Sequence, residues 1–227
     1  MKISIIIPVL NEEDWIVQML TALQPLRGKG HEVIVVDGGS KDQSLQKALP
    51  FSDQVLEASR GRSRQMNKGA KFSKGEILLF LHADTFLPDG ADHLIFDAIS
   101  RTGRSWGFFK VGLSGRHPLL RVVEFLMNLR SRFTRIATGD QSIFLKRELF
   151  EAIGGYPEID LMEDVALCKI MKKYGPPIYI PLAVLTSSRR WEEKGLIRTI
   201  LLMWFLRFAF FLKADPKRLV KLYYPIP

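Results

Sequence analysis

Cysteine is all but missing from this sequence. Cys168 is the single one, so no intrachain disulfide can form; it reads as a small buried apolar residue in a reducing compartment. No low-complexity tract, internal repeat or flexible linker is present. That excludes collagen-like, disordered and solenoid classes. No Walker-type phosphate loop occurs, nor the glycine spacing of a dinucleotide fingerprint. No secretory leader is expected: Met1-Lys2 runs straight into a strand-length apolar run at residues 3–9, and the acidic Glu12-Glu13-Asp14 follows. What remains is expected to be a cytoplasmic chain; its 227 residues are enough to bury a core without disulfide or metal staples.

Acidic charge is scarce in two places. The net charge is +9, yet residues 1–100 and 136–186 each sum to −2. Residues 101–135 carry +7 and residues 187–227 carry +6. Both basic segments are rich in large apolar side chains, such as Leu119 to Met127 and Ile200 to Phe211. Cations beside such apolar stretches point to an anionic membrane surface and away from nucleic acid, for which no motif is present.

Up to residue 100, apolar runs alternate with helical spacing. Strands are expected at residues 3–9, 31–36, 54–56 and 76–81, and helices at 12–23, 41–49 and 63–72. Continuous apolar runs of this kind fit a parallel sheet covered on both faces. Beyond residue 100 the pattern predicts helices at 118–133, 148–153 and 162–174 and a strand at 142–145. The fold class is therefore α/β, a mostly parallel central sheet flanked by helices over residues 1–190. A C-terminal apolar and basic helical segment follows over 191–227.

Ligands of such sheets bind beyond the carboxyl ends of the strands, so the polar residues there are the candidates. Pro8-Val9-Leu10-Asn11-Glu12 leaves the first strand. Asp37-Gly38-Gly39-Ser40 leaves the second, with an acceptor suited to a base N–H or a ribose hydroxyl and glycines that let backbone approach a ligand. Ser40 serves equally well as a helix N-cap. Arg60-Gly61-Arg62-Ser63-Arg64-Gln65-Met66-Asn67 gathers cations and amides at a helix start, either as a phosphate site or as a solvated basic face. Leu81-His82-Ala83-Asp84-Thr85 places His82 and Asp84 two residues apart, pointing the same way in extended chain. One carboxylate plus substrate phosphates is a normal way to hold Mg2+ or Mn2+. Gly139-Asp140-Gln141 and Met162-Glu163-Asp164 each offer a general base, though Glu163 and Asp164 would also suit a helix N-terminus as surface charges.

In this order and spacing the motifs resemble those of family-2 glycosyltransferases, over roughly residues 1–190. The Leu-His-Ala-Asp-Thr and Gln-Met-Asn forms are similar to a subgroup of short bacterial enzymes, some assigned to arsenosugar biosynthesis. The resemblance implies the A-type nucleotide-sugar-binding fold. It places Pro8, Asn11 and Glu12 at the nucleoside, and Asp37 with Gly38 at the base. Arg62, Gln65 and Asn67 would approach the donor sugar and diphosphate, beside His82, Ala83 and Asp84. Asp84 would bind the divalent metal. Asp164 would be the base, with Glu163 or Asp140 sharing the role. Gln141, Arg190 and Trp191 would lie on the acceptor side, Trp191 either stacking on an acceptor sugar or packing in the core. The reaction implied is a single inverting displacement, from a UDP-sugar first or a GDP-sugar next, onto a hydroxyl acceptor that is lipid-linked or otherwise amphipathic. His82 replaces the first Asp of the usual Asp-x-Asp, which leaves its role open between metal and ribose. Ser187-Ser188-Arg189-Arg190-Trp191 matches only part of the signature of processive synthases, so transfer of one sugar is expected.

Residues 196–212 hold 14 apolar side chains out of 17. At 1.5 Å per residue this helix covers about 26 Å, short of a ~30 Å hydrocarbon core. With Lys213, Lys217, Arg218 and Lys221 behind it, it reads as an interfacial helix at the inner face of the cell membrane. A core or homo-oligomer contact is the alternative. Two rival functions stand beside the transferase. One is a sugar nucleotidyltransferase, which would need a Gly-rich, Arg-containing loop where Pro8–Glu12 stands. The other is a non-catalytic membrane-associated protein that keeps the fold.

Overall fold

The computed structural model describes residues 1–189, 192 and 195–223. Its centre is an eight-stranded sheet in the order β3-β2-β1-β4-β7-β6-β8-β5. The strands are β1 (Ile3–Val9), β2 (Glu32–Asp37), β3 (Gln54–Glu57), β4 (Ile77–Phe80), β5 (Thr85–Phe86), β6 (Trp106–Leu113), β7 (Phe144–Lys146) and β8 (Ile178–Thr186). The helices are α1 (Ile16–Ala22), α2 (Gln24–Gly28), α3 (Ser44–Ala48), α4 (Arg62–Phe72), α5 (Ala91–Thr102), α6 (Pro118–Thr134), α7 (Arg147–Ala152), α8 (Glu163–Met171), α9 (Leu196–Phe211) and α10 (Pro216–Tyr223).

β3, β2, β1 and β4 run parallel, with Ile6 opposite both Ile34 and Phe80. Every residue of β1, β2 and β4 is buried. Side chains alternate between two cores, so Ile5 and Ile7 pack with α1 and α5, whereas Ile6 packs with Met66 and Ala70 of α4. β7 enters antiparallel to β4 and β6, and β8 pairs parallel to β6 and antiparallel to β5. The sheet is thus mixed, with parallel pairings in the majority. β5, β6, β8 and α5 fall outside the elements expected from the sequence, although α5 buries Ala91, Ile95 and Ile99 at helical spacing.

Two local expectations change. Ser40 is not a helix N-cap, because α3 begins four residues later and is preceded by Gln43. The C-terminal apolar helix α9 is partly core: Leu206 is fully buried against α8, while Leu196 and Ile200 pack near α6.

The seam where the two halves of the sheet meet is close-packed. A Cβ at Gly107 would stand 2.6 Å from both the Ile178 carbonyl and the Phe144 ring. Neighbouring backbone cannot yield there, so Gly107→Ala is expected to cost about 1–3 kcal/mol. Thermal unfolding should register this as a melting temperature lower by about 2–4 °C per kcal/mol.

Candidate active site

The loops after β1 and β2 are fastened to each other. Asn11 adopts a left-handed backbone (φ 55°), which its side chain helps to tolerate. Its N–H donates to Ser40 Oγ at 2.9 Å, and its Oδ1 accepts from Lys41 N–H at 2.8 Å. Glu12 N–H donates to Ser44 Oγ at 2.7 Å. Asp37 is buried and accepts from the Gly39 and Ser40 amides at 2.8 and 2.9 Å and from the Ser40 hydroxyl. It therefore shapes the loop whatever else it touches.

Gln65 is buried on α4 and donates to a carbonyl at each strand end, Val9 O at 2.9 Å and Val36 O at 2.8 Å. Asn67 exchanges two hydrogen bonds with the Tyr156 backbone, at 2.9 and 2.8 Å. Both amides hold protein segments together and so help to position the loops. The acceptor-side assignment of Gln141 is corrected. It is fully buried, its amide nitrogen donating to Ser131 Oγ at 2.9 Å and its oxygen accepting from Thr138 N–H at 3.2 Å, so it cannot meet an acceptor. Arg190 and Trp191 lie outside the described residues.

The acidic centre lies where α8 begins. Met162, in the left-handed region at φ 66°, turns the chain so that Glu163 and Asp164 open the helix. Asp164 accepts from Gly139 N–H at 2.8 Å through one oxygen and from Val165 N–H at 2.6 Å through the other. Gly139 lies flat against the His82 ring, where a Cβ would collide with the imidazole. His82 Nδ1 faces Asp140 Oδ1 at 3.3 Å. His82 thus links the loop after β4 to the loop that holds the candidate base. Asp84 is half-buried; its side-chain neighbour is Thr85 Oγ1 at 3.4 Å, and its carbonyl accepts from Ser187 N–H at 3.1 Å.

Charge is unevenly priced within this cluster. Burial, then the charge of Asp164, pushes the Glu163 carboxyl up to about 7, against the pull of Arg62. Asp164 is also raised, chiefly by burial, although its two backbone donors oppose the rise. Burial acts on Asp140 too, but the hydrogen bond and charge of His82, with Arg62 and Arg130, outweigh it and hold that group below the usual range. Glu12 is raised by burial, against Arg189, with Asp84 adding to the rise.

Two cations enter the site that motif reading overlooks. Arg189 reaches Glu12 at 3.3 Å and stacks 5.9 Å from the Trp15 ring centroid, and its only sequence signal is the Arg-Arg-Trp run it begins. Arg130, on α6, has a largely buried guanidinium whose charge acts on Asp164 and Asp140. Nothing in its sequence neighbourhood marks it. Among the described residues no three His, Cys, Asp or Glu side chains converge as a metal site. Asp84 nonetheless suits a hard cation that takes its remaining ligands from phosphate oxygens and water. A broad concavity of about 570 Å3, lined by Lys2, Arg27, His31 and Glu32, lies at the opposite ends of the strands, away from this cluster.

A model of glycosyl transferase family 2 matches residues 4–154. A poly(ribitol-phosphate) beta-glucosyltransferase of Bacillus spizizenii is 33% identical over 130 residues, 51% of this chain but 20% of that protein. The fold is similar to that of residues 1–349 of Staphylococcus aureus TarS, solved in complex with UDP-GlcNAc. The TM-score is 0.68 at 22% identity, covering 82% of this chain and 58% of that one. It is also similar to the mannosyltransferase PcManGT of Pyrobaculum calidifontis, solved in complex with GDP-Man and Mn2+. There the TM-score is 0.61 at 22% identity, covering 82% and 56%. The chain spans about a fifth of the length of the first curated relative.

The raised Glu163 generates a pH signature. Unfolded, a glutamate loses its proton near 4.5; folded, Glu163 keeps it to about 7. Between those values the folded state binds more protons, so this contribution to stability is lost as pH rises from about 4.5 to about 7. Denaturant unfolding at a series of pH values should show Glu163→Gln gaining on the unmodified protein across that window. A constant difference would mean that Glu163 titrates normally.

Proposed function

The chain belongs to glycosyl transferase family 2, and from that membership we propose that it transfers one sugar from a nucleotide-diphosphate sugar to an acceptor hydroxyl, with inversion. UDP-sugars are the first expectation for the donor and GDP-sugars the next; fold neighbours solved with UDP-GlcNAc and with GDP-Man support that order of search. The observation that carries the reading is the convergence, at one edge of the sheet, of Asp84, Arg62 and the Glu163-Asp164 pair, from three separate elements.

In this reading Asp164 is the base. The attacking hydroxyl is a weak nucleophile, and a carboxylate within hydrogen-bond reach takes its proton as the new bond forms. Burial raises the proton affinity of Asp164, which suits that task, and the Gly139 and Val165 amides fix its orientation. Glu163 and Asp140 share the proton traffic, Asp140 through His82. Arg62 faces the developing charge on the diphosphate, with Asn11, Glu12 and Asp37 framing the nucleoside side. A divalent cation bound by Asp84 would neutralise the leaving diphosphate. No nucleophile triad is needed for a single displacement.

An amphipathic acceptor fits a second feature. A cavity of about 200 Å3 is lined by Met162, by Val165 of α8, by Phe210 and Arg207 of α9, and by Arg130. Its walls are apolar with cations at the edges, which suits an acceptor that carries both a greasy part and a negative group. We place the protein in the cytoplasm, peripheral to the membrane, with residues 1–190 as the catalytic domain.

Calorimetric titration with UDP, GDP and their sugar conjugates, with and without Mn2+, tests this. One nucleotide is expected to bind in a metal-dependent way, and Asp84→Ala to abolish that dependence. Asp164→Asn should keep nucleotide affinity within about threefold and lower turnover by about 10²–10⁴-fold. Absence of any nucleotide binding would favour a non-catalytic protein that retains the fold.

A further inference from the structure

α6 turns one apolar face to the protein and another to solvent. Leu120, Val123 and Met127 pack against Leu113 and against Leu196 and Ile200 of α9. On the far side a stripe runs from Leu119 to Phe133, with Phe125 63% and Phe133 80% exposed. α9 repeats the arrangement. Its Leu206 is buried beside Met162 and Val165, while Ile197, Trp204, Phe208 and Phe211 are each more than 60% exposed. The two helices touch through Leu120 and Val123 of α6 and Leu196 and Ile200 of α9, so both stripes belong to one packed helix pair. Exposed apolar surface of this extent marks an interaction site.

Charge identifies the partner. At about 100° per residue, Arg198 and Arg207 fall on the two borders of the α9 stripe; Arg121 and Arg132 follow one border of the α6 stripe, Arg121 shared with Glu124 and Arg132 lying 5.1 Å from the Tyr179 ring centroid. α9 holds no acidic residue, and the single one in α6, Glu124, is taken up by Arg121 and the Leu113 amide. The segments that carry α6 and α9 sum to +7 and +6, against a slightly acidic remainder. A second copy of the chain would set these cations against themselves. A nucleic acid could stack bases on the aromatic rings but would leave the exposed aliphatic side chains, such as Leu119, Val122, Ile197 and Leu201, without an apolar partner. Among the described residues no helix is long and apolar enough to cross a membrane; α9, at 16 residues, reaches about 24 Å.

We propose that α6 and α9 together form a docking face that lies in the headgroup layer of an anionic phospholipid bilayer, apolar stripes inserted and arginines at the phosphates. α8, which carries the Glu163-Asp164 pair, packs against the inner side of α9. Docking would therefore present the acidic site to a membrane-borne acceptor, a consequence that rests on the transferase reading, whereas docking itself does not.

The test is co-sedimentation of the full chain with vesicles of phosphatidylcholine, with and without phosphatidylglycerol. Binding is expected to the mixed vesicles and to weaken about tenfold or more when salt is raised to about 0.5 M. Phe125→Asp combined with Phe208→Asp should reduce it by at least about a hundredfold, with an unchanged circular dichroism spectrum and melting temperature. In the unmodified protein, Trp204 fluorescence should shift to the blue on anionic vesicles, and Trp204→Phe should lose the shift. A protein that stays in solution with anionic vesicles overturns the proposal. So does equal binding to neutral vesicles, or a dimer in solution that the double substitution dissociates. Nucleotide titration of the same preparations judges the transferase reading separately: vesicle binding without nucleotide binding sinks that reading and leaves this one standing.

Discussion

Two adjacent carboxylates under cover are the constraint to which the rest of the site answers. Glu163 is buried, Asp164 is half-buried, and like charges at that spacing cannot both ionise cheaply. The neighbours are arranged accordingly. Asp164 receives an amide on each oxygen. Arg62 offsets Glu163, and Arg130 acts on Asp164 from α6. Gly139 must lack a side chain because His82 occupies the space where one would go. Met162 must turn through the left-handed region because the helix begins at the residue that follows it. The cost of the pair is thus spread over four segments that are distant in sequence.

That arrangement depends on strands ending together. β1, β2 and β4 are covered on both faces, so their hydrophobic residues hold them side by side and their carboxyl ends share one edge. Gln65 then fixes the spacing of the first two ends by donating to a carbonyl of each. Gly38 passes within 3.0 Å of that amide, measured from where a Cβ would stand, so the glycine serves close packing at this point as well as any ligand. Arg189 adds the last tie by bringing the chain after β8 onto Glu12.

What was legible in the sequence follows from the same physics. Strands buried on both faces show as unbroken apolar runs, which is why β1, β2 and β4 are plain. β6 and β8 carry Lys110 and Gly112, and Pro181 with exposed neighbours, because one side of each is less covered. Their pairing is decided by contacts too distant for a periodicity to report. Carboxylates at strand and helix ends, such as Asp84 and Asp164, announce themselves by type and place. Amides do not. Gln65, Asn67 and Gln141 look like ligand-binding side chains in sequence, yet their partners are protein groups brought in by the fold. Arg130 is silent for the converse reason: its helix reads as amphipathic, and only packing aims one of its cations inward.

A charge balance then links the proposed reaction to the basic helices. The site gathers Glu12, Asp84, Asp140, Glu163 and Asp164 against Arg62, Arg189, Arg130 and His82. A nucleotide diphosphate adds about two further negative charges, so on the proposed reading the donor cannot settle there on side-chain cations alone. Two features relieve the excess. Glu163, raised to about 7, is about half protonated at neutral pH, and a divalent cation arriving with the diphosphate would neutralise the rest. The positive field of α6 and α9 works in the same direction. It attracts anions toward a surface whose own site is acidic, and Arg130 carries part of that field through to the carboxylates themselves. On the proposed reading, the segregation of charge first visible as two basic stretches in the sequence helps an acidic site to receive an anionic substrate.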